Sequence, residues 1–374
     1  MTPMRGLGSV FGIAAAAAAT LALAVTAAPV GEAAPAATNA VPSLKGALPV
    51  TALWAAWKAR FVTPDGRVVD DGNGGVSHSE GQGYGMLLAV AADDRDTFRS
   101  LWAWTRANLY VRKDGLASWR WQPGPAPNVR DPNNATDGDI LVAWALAEAG
   151  VAWDDQAATA AARRIARAVF AEAVIATRLG PTMLPGISGF RAADRRDGPV
   201  VNPSYWVFPA FARLAATTPD LDWKGLAASG EKLLAETRFG PAKLTAEWVS
   251  LAGAEARPAD GFPATFGYNA IRVPLHLAWS EGGRRERLAP YMARWFGETG
   301  SAAKPMAVVD LSSGRDGEPF ADPGYRAVAA VVACALEGTR FPDDLRGAEV
   351  DRYYPTTLRA LALVAVNTRH PTCW

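Results

Sequence analysis

Two short stretches place carboxylates where they could be aimed at a substrate. Ser77 to Gly85 reads Ser-His-Ser-Glu-Gly-Gln-Gly-Tyr-Gly and holds one acid, Glu80. Its three glycines predict a tight turn that runs into an apolar helix from Met86 to Ala92. Further along, Ala135-Thr136-Asp137-Gly138-Asp139 opens a second apolar helix, Ile140 to Ala149. Two such clusters in a chain with 14 Trp point to paired acids acting on a carbohydrate. Breaking a glycosidic bond requires a proton for a poor leaving group. One carboxyl must therefore stay protonated near neutral pH, which burial or a neighbouring carboxylate can achieve. Glu80 is the first candidate; the plainer reading is a Glu that caps backbone amides. Asp137 can be an N-cap, with Asp139 a first-turn charge favoured by the helix dipole. Alternatively, Asp137 binds a sugar hydroxyl and steadies a distorted ring as positive charge develops.

Aromatic residues supply the second ingredient. Trp119 and Trp121 flank Arg120 in a long loop, Tyr205 follows Asn202-Pro203-Ser204, and Tyr353 and Tyr354 precede a helix. Sugar rings present apolar C–H faces, and flat side chains cover them at low entropic cost. Any one of these rings could equally belong to the core. In Phe266 to Pro274, Arg272 stands at the start of an apolar helix, where a buried cation needs a carboxylate partner.

The elements that must hold these residues are helices. Apolar residues recur at helical spacing over roughly 44–60, 84–93, 95–110, 137–150, 155–178, 204–217, 222–237, 269–280, 285–297, 323–337 and 355–367. Strand alternation is scarce, with Arg67–Val69 and Ala307–Asp310 as short candidates. Long Gly-, Pro- and Asp-rich connections near 61–83, 111–136, 179–203, 238–268, 298–322 and 338–354 alternate with short ones. That rhythm suits helical hairpins in a ring with the long loops on one face, and loops of that length usually carry function. A bundle or solenoid would give the same pattern.

Composition narrows the setting. Residues 1–35 read as an export signal, with Arg5 ahead of an Ala-rich run and small residues after it. Residues 36–374 form the working domain. No later stretch is long enough to span a bilayer, so no stable membrane insertion is expected after cleavage. The balance of 38 basic and 37 acidic residues shows no basic stripe for nucleic acid. Without His or Cys clusters, no metal is expected. Of the two cysteines, Cys334 reads as a small buried hydrophobe and Cys373 sits beside the C-terminus. Export would permit a bridge, but a core position and a loose tail rarely meet, so free thiols are expected.

Taken in order, the motifs resemble glycoside hydrolase family 8, in particular its periplasmic endoglucanases associated with bacterial cellulose synthesis. The resemblance runs through WKARFVTPDGRVVD at Trp57–Asp70, SEGQGYGM at Ser79–Met86, ATDGDILVAWALAEAG at Ala135–Gly150, MLPGISGF at Met183–Phe190, NPSY at Asn202–Tyr205, YNAIRVP at Tyr268–Pro274 and the pair Tyr353-Tyr354. It implies an all-α (α/α)6 barrel of twelve helices in two rings and endo-acting, inverting cleavage of β-1,4-glucan without a cofactor. It also implies a glucan chain as ligand and a link to the cellulose synthase export machinery. By position, Glu80 matches the general acid, Asp137 the aspartate at the distorted sugar, and Tyr268 and Arg272 residues lining that subsite. Many members carry Asp as the general base where this chain has Asn269, and an amide cannot take a proton from water at neutral pH. Another carboxylate can supply the base, with Asp260 nearest and Asp197 and Asp310 further options. Otherwise Asp137 orients the water, or the protein binds glucan and cleaves it poorly. Chitosanase, xylanase and lichenase activities remain same-family alternatives.

Overall fold

The computed structural model describes residues 41–280, 285–297 and 306–374. The expected export signal, residues 1–35, lies outside them. Eleven helices are present among the described residues: α1 (Thr51–Phe61), α2 (Ser79–Ala91), α3 (Arg95–Asn108), α4 (Thr136–Trp153), α5 (Gln156–Glu172), α6 (Phe208–Thr217), α7 (Trp223–Glu236), α8 (Arg272–Trp279), α9 (Arg285–Phe296), α10 (Pro323–Glu337) and α11 (Tyr353–Arg369).

Burial sorts them into two rings. α2 and α4 are covered on almost every face: Gly81 to Ala91 and Thr136 to Gly150 are buried throughout. A helix apolar all round belongs inside. α3 and α5 bury one stripe each, Phe98, Leu101 and Trp104 in the first and Ala158, Ala162, Ile165 and Val169 in the second. The inner helices follow as α2, α4, α6, α8, α10 and α11, each touching the next, and α11 closes the ring on α2. α1, α3, α5, α7 and α9 lie outside. This is the (α/α)6 barrel with one departure from twelve helices. The sixth outer position is taken by residues 338–352, which carry only a 3-10 turn at Asp343–Leu345. Gly338 in the left-handed region ends α10, and Pro342 follows soon after.

Three of the outer helices also begin differently from the inner ones. Asp94, Asp155 and Asp222 cap α3, α5 and α7, each accepting a backbone N–H from the first turn. The inner helices α2, α4, α6, α8, α10 and α11 have no side-chain cap hydrogen bond.

Strands are short and lie in the long connections. β1 (Ser77–His78) pairs antiparallel with β2 (Arg120–Trp121). β3 (Val174–Thr177) and β4 (Gly180–Met183) form a hairpin. β5 (Val200–Val201), β6 (Val249–Ser250) and β7 (Arg257–Pro258) make one three-stranded sheet, in that order. β8 (Thr265–Phe266), β9 (Ala307–Asp310) and β10 (Asp316–Pro319) make another, with β9 central. β9 is the strand expected at Ala307–Asp310, whereas Arg67–Val69 contributes only an isolated bridge between Val62 and Val68. The helix expected to reach residue 178 stops at Glu172, because the β-branched Val174, Ile175 and Thr177 suit a strand better.

Two further expectations change. The glycines around Glu80 are helical, since α2 begins at Ser79. They serve close packing rather than a turn: a Cβ on Gly83 would stand 2.6 Å from the Leu141 Cβ, and one on Gly138 would stand 2.7 Å from the Glu80 nitrogen. α2 and α4 thus meet backbone to backbone. The cysteines are also not free, because Cys334 and Cys373 form a disulfide with Cα atoms 6.0 Å apart. The tail is held rather than loose. The Phe341 N–H donates to the Cys373 carbonyl at 2.7 Å, and the Arg346 guanidinium lies 4.7 Å from the Trp374 ring. The bridge staples the side of the barrel where the outer helix is missing. It spans 39 residues, and a loop of that size is worth roughly 2–4 kcal/mol. Changing both cysteines to Ser should lower stability by that amount in urea unfolding, and reducing agent should then have no further effect.

Candidate active site

The inner helices α2, α4, α8 and α11 present their N-terminal residues to one cleft of about 520 Å3. Glu80, Trp119, Asp137, Tyr205, Tyr268, Asn269, Arg272 and Tyr354 all line it. Residues separated by up to about 275 positions in sequence therefore converge because the ring gathers helix starts on one face.

Arg272 organises the floor. Its side chain is buried, and all three guanidinium nitrogens are engaged. Nη1 donates to Glu80 Oε1 and, at 2.8 Å, to Asp137 Oδ2. Nη2 donates to Ser204 Oγ and to Asn269 Oδ1, each at 2.9 Å, and Nε donates to the Asn269 carbonyl at 3.3 Å. Asn202 supports this end, accepting from the Ser204 hydroxyl at 2.7 Å and donating to Asn269 Oδ1 at 3.3 Å. The fork thus binds both carboxylates through one nitrogen and the Asn269 amide through the other. Glu80 is partly open to the cleft, and Tyr84, one turn along α2, donates to its Oε1 at 3.2 Å. Asp137 is buried; its Oδ1 accepts the Gly138 N–H at 2.8 Å. Burial pushes the Asp137 carboxyl up to about 7, while the hydrogen bond from the Gly138 N–H favours the charged form and nearby Asp139 opposes it.

Asp139 turns away from the cleft and ties the neighbouring loops together. It accepts the Ala117 N–H at 2.8 Å and the Asn134 amide at 3.0 Å. Burial raises its carboxyl to about 7. The folded state therefore prefers the protonated acid. Its contribution to stability is complete below the ordinary value near 4 and is lost as pH rises through 7. Against Asp139→Asn, which cannot ionise, the wild-type urea midpoint should fall steadily from pH 4 to pH 8.

The aromatic lining differs in part from the sequence reading. Trp119 stands in the cleft, its indole N–H on Asp131 Oδ2 at 2.8 Å and its ring stacked with His78, centroids 6.2 Å apart. Burial drops His78 to about 4, so this ring is neutral. Tyr205 lies under the Arg272 guanidinium at 5.7 Å. Tyr354 donates to the Tyr268 carbonyl at 2.6 Å, and Tyr268 donates to Glu318 at 3.1 Å. Trp121 and Tyr353 do not line the cleft. Trp121 packs edge-on against Trp104 beneath Arg67, and Tyr353 is buried against Trp57 and Phe61. Both rings go to apolar clusters because these lie on the inward side of their elements. Phe190 and Trp248, which sequence reasoning missed as platforms, line the cleft instead and stack on each other at 5.6 Å with planes 2° apart. Their signal was an aromatic in a long loop, the same one that drew attention to Trp119.

None of the carboxylates offered as a substitute base lines the cleft. Asp260 is exposed and clamped by Arg257 at 2.6 and 2.9 Å. Asp197 is held by Arg195 and by the Asp260 N–H, and Asp310 binds Ser313. Proximity in sequence to Asn269 was a poor guide, because β7 and β8 carry Asp260 away. A different acid, Glu247, also outside that lining, stands directly behind Asn269. Glu247 Oε1 accepts the Asn269 backbone N–H at 2.7 Å, and burial raises its carboxyl.

Comparison with known proteins places these features in a family context. The model described as Glycosyl hydrolases family 8 matches residues 30–368. An endoglucanase of Cellulomonas uda is 40% identical over 241 residues, 64% of this chain and 66% of that protein. A probable endoglucanase of Novacetimonas hansenii is 39% identical over 318 residues, 83% of this chain and 89% of that protein. Among solved structures, the endo-beta-1,4-glucanase CMCax of Acetobacter xylinum superposes with a TM-score of 0.76 at 36% identity, covering 85% of this chain and 98% of that one.

Proposed function

The chain belongs to glycosyl hydrolase family 8, and from that membership we propose an exported enzyme whose cleft cuts glucan chains internally. It hydrolyses β-1,4-glucan with inversion at the anomeric carbon. Residues 1–35 serve as the signal peptide and 36–374 as the catalytic domain, acting in the periplasm or outside the cell beside a cellulose export machinery. The disulfide supports this location, since such bridges persist in oxidising compartments.

One observation carries the assignment of roles: Glu80 and Asp137 share a buried guanidinium at the floor of an open, aromatic-lined cleft. Glu80, partly exposed, protonates the leaving oxygen. Asp137, buried and anchored, holds the sugar at the cleavage point and balances the positive charge that develops on the ring. Arg272 fixes both. Trp119, Tyr205, Trp248, Tyr268 and Tyr354 offer faces and hydroxyls along the chain. Purified protein should release reducing ends from carboxymethylcellulose, with viscosity falling ahead of reducing-end release as internal cuts require. A protein inert on carboxymethylcellulose and on mixed-linkage glucan would overturn the reading.

A further inference from the structure

We propose that Glu247 is the general base of this hydrolase, standing in for the amide at Asn269. The proposal rests on the glucanase reading above. Inversion needs two carboxyl groups on opposite sides of the sugar, roughly 6.5–9.5 Å apart, with a water between one of them and the anomeric carbon. Asp137 does not meet this need, because it and Glu80 bind the same Arg272 nitrogen and lie side by side. Asp131 is committed at the lip, accepting the Trp119 indole and the Asn133 N–H. The far end of the fork holds Asn269, and the carboxylate behind it is Glu247.

Three features build this position. Asn269 donates its backbone N–H to Glu247 Oε1 at 2.7 Å while its Oδ1 faces Arg272, so one residue links the fork to the acid. Gly267 leaves the room: a Cβ there would stand 2.8 Å from Glu247 Oε1. Glu247 is only partly buried, and the next residue in the chain, Trp248, lines the cleft. Partial burial also raises the Glu247 carboxyl, which makes a carboxylate a better proton acceptor.

The step balances as follows. Water held between Asn269 and Glu247 forms a bond to C1 from the face opposite the leaving group. The C1–O bond breaks, and the leaving oxygen takes the proton of Glu80. The proton lost by water goes to Glu247, and solvent exchange restores both acids.

The test measures kcat and KM on cello-oligosaccharides, with melting temperature alongside. Glu247→Gln should lower kcat at least about 10²-fold with KM little changed, and adding Asn269→Asp to it should return part of the loss. In Glu247→Ala, azide should restore turnover and yield the α-glycosyl azide, a product that no purely structural role would give. Where Gln or Ala variants fail to fold, Glu247→Asp keeps the charge, retracts it, and should still cost about tenfold or more in kcat. Wild-type turnover in a folded Glu247→Gln or Glu247→Asp protein overturns the proposal, as does a folded Glu247→Ala protein that azide cannot rescue. An inert wild-type protein instead sinks the glucanase reading itself.

Discussion

Glu80→Gln is expected to lower kcat on carboxymethylcellulose by roughly 10²–10⁴-fold, the range for removing a positioned general acid, while KM and melting temperature stay near wild type. Gln preserves the shape of Glu, and its carbonyl oxygen can still accept from Tyr84 and from Arg272, the two donors that Glu80 Oε1 serves. Only the transferable proton is gone. The effect should therefore depend on the leaving group. A natural sugar hydroxyl needs protonation, whereas a dinitrophenyl leaving group departs as a stable anion. On the dinitrophenyl cellobioside, Glu80→Gln should lose far less than on the polymer. Equal losses on both substrates would show that Glu80 binds or positions sugar instead of donating a proton.

The second large effect concerns Arg272. Its guanidinium is buried and joins Glu80, Asp137, Ser204 and Asn269 through one planar group. Arg272→Met removes the only cation these two carboxylates bind among the described residues, and breaking a buried pair from one side costs about 3–5 kcal/mol. The loss should depend on pH. Without the cation, a buried Asp137 carboxylate lacks its partner charge, so stability is retained at low pH, where Asp137 is protonated, and is lost as pH rises. Urea midpoints for Arg272→Met and wild type should be closer at pH 4.5 than at pH 8. Arg272→Lys keeps the charge but not the fork. It should fold better than Arg272→Met and still lose kcat, because one ammonium cannot hold two carboxylates and an amide in fixed relation. If Arg272→Lys keeps wild-type turnover, the fork is a stabilising device only.

Much of the fold was legible because helices announce themselves through 3.6-residue spacing, and nine of the eleven expected ranges match the structure to within about five residues at either end. Of the other two, 44–60 begins well ahead of α1, which starts at Thr51, and 155–178 ran through a hairpin whose β-branched residues carry the stronger signal. The acids were legible for a similar reason: Glu80 and Asp137 each sit in the first turn of an apolar helix, where a charge is conspicuous. Pairwise placement was not. Trp121 and Tyr353 look from sequence like Trp119 and Tyr354, their neighbours, yet one of each pair enters the cleft and the other a cluster of rings. Which side a residue takes depends on the rotation of its element about its own axis, and that is set by packing partners far away in the chain. The disulfide was misjudged on the same ground, because the fold-back of the last residues depends on the contacts of Phe341 and Arg346.

The uncapped starts of the inner helices have an electrostatic consequence. Each helix N-terminus carries the equivalent of about +0.5 elementary charge, and those of α2, α4 and α8 converge beneath the cleft without a capping side chain at the N-cap position. A glucan chain in its ground state is neutral and indifferent to that potential. The oxocarbenium-like ring of the transition state is not, and a bare positive floor would repel it at the moment of bond breaking. Asp137 in the first turn of α4 and Glu80 in the first turn of α2 stand between that floor and the sugar. They convert a field adverse to the reaction into one that holds anionic groups in place, and a cationic polysaccharide would meet the adverse part of that field wherever these acids do not cover it.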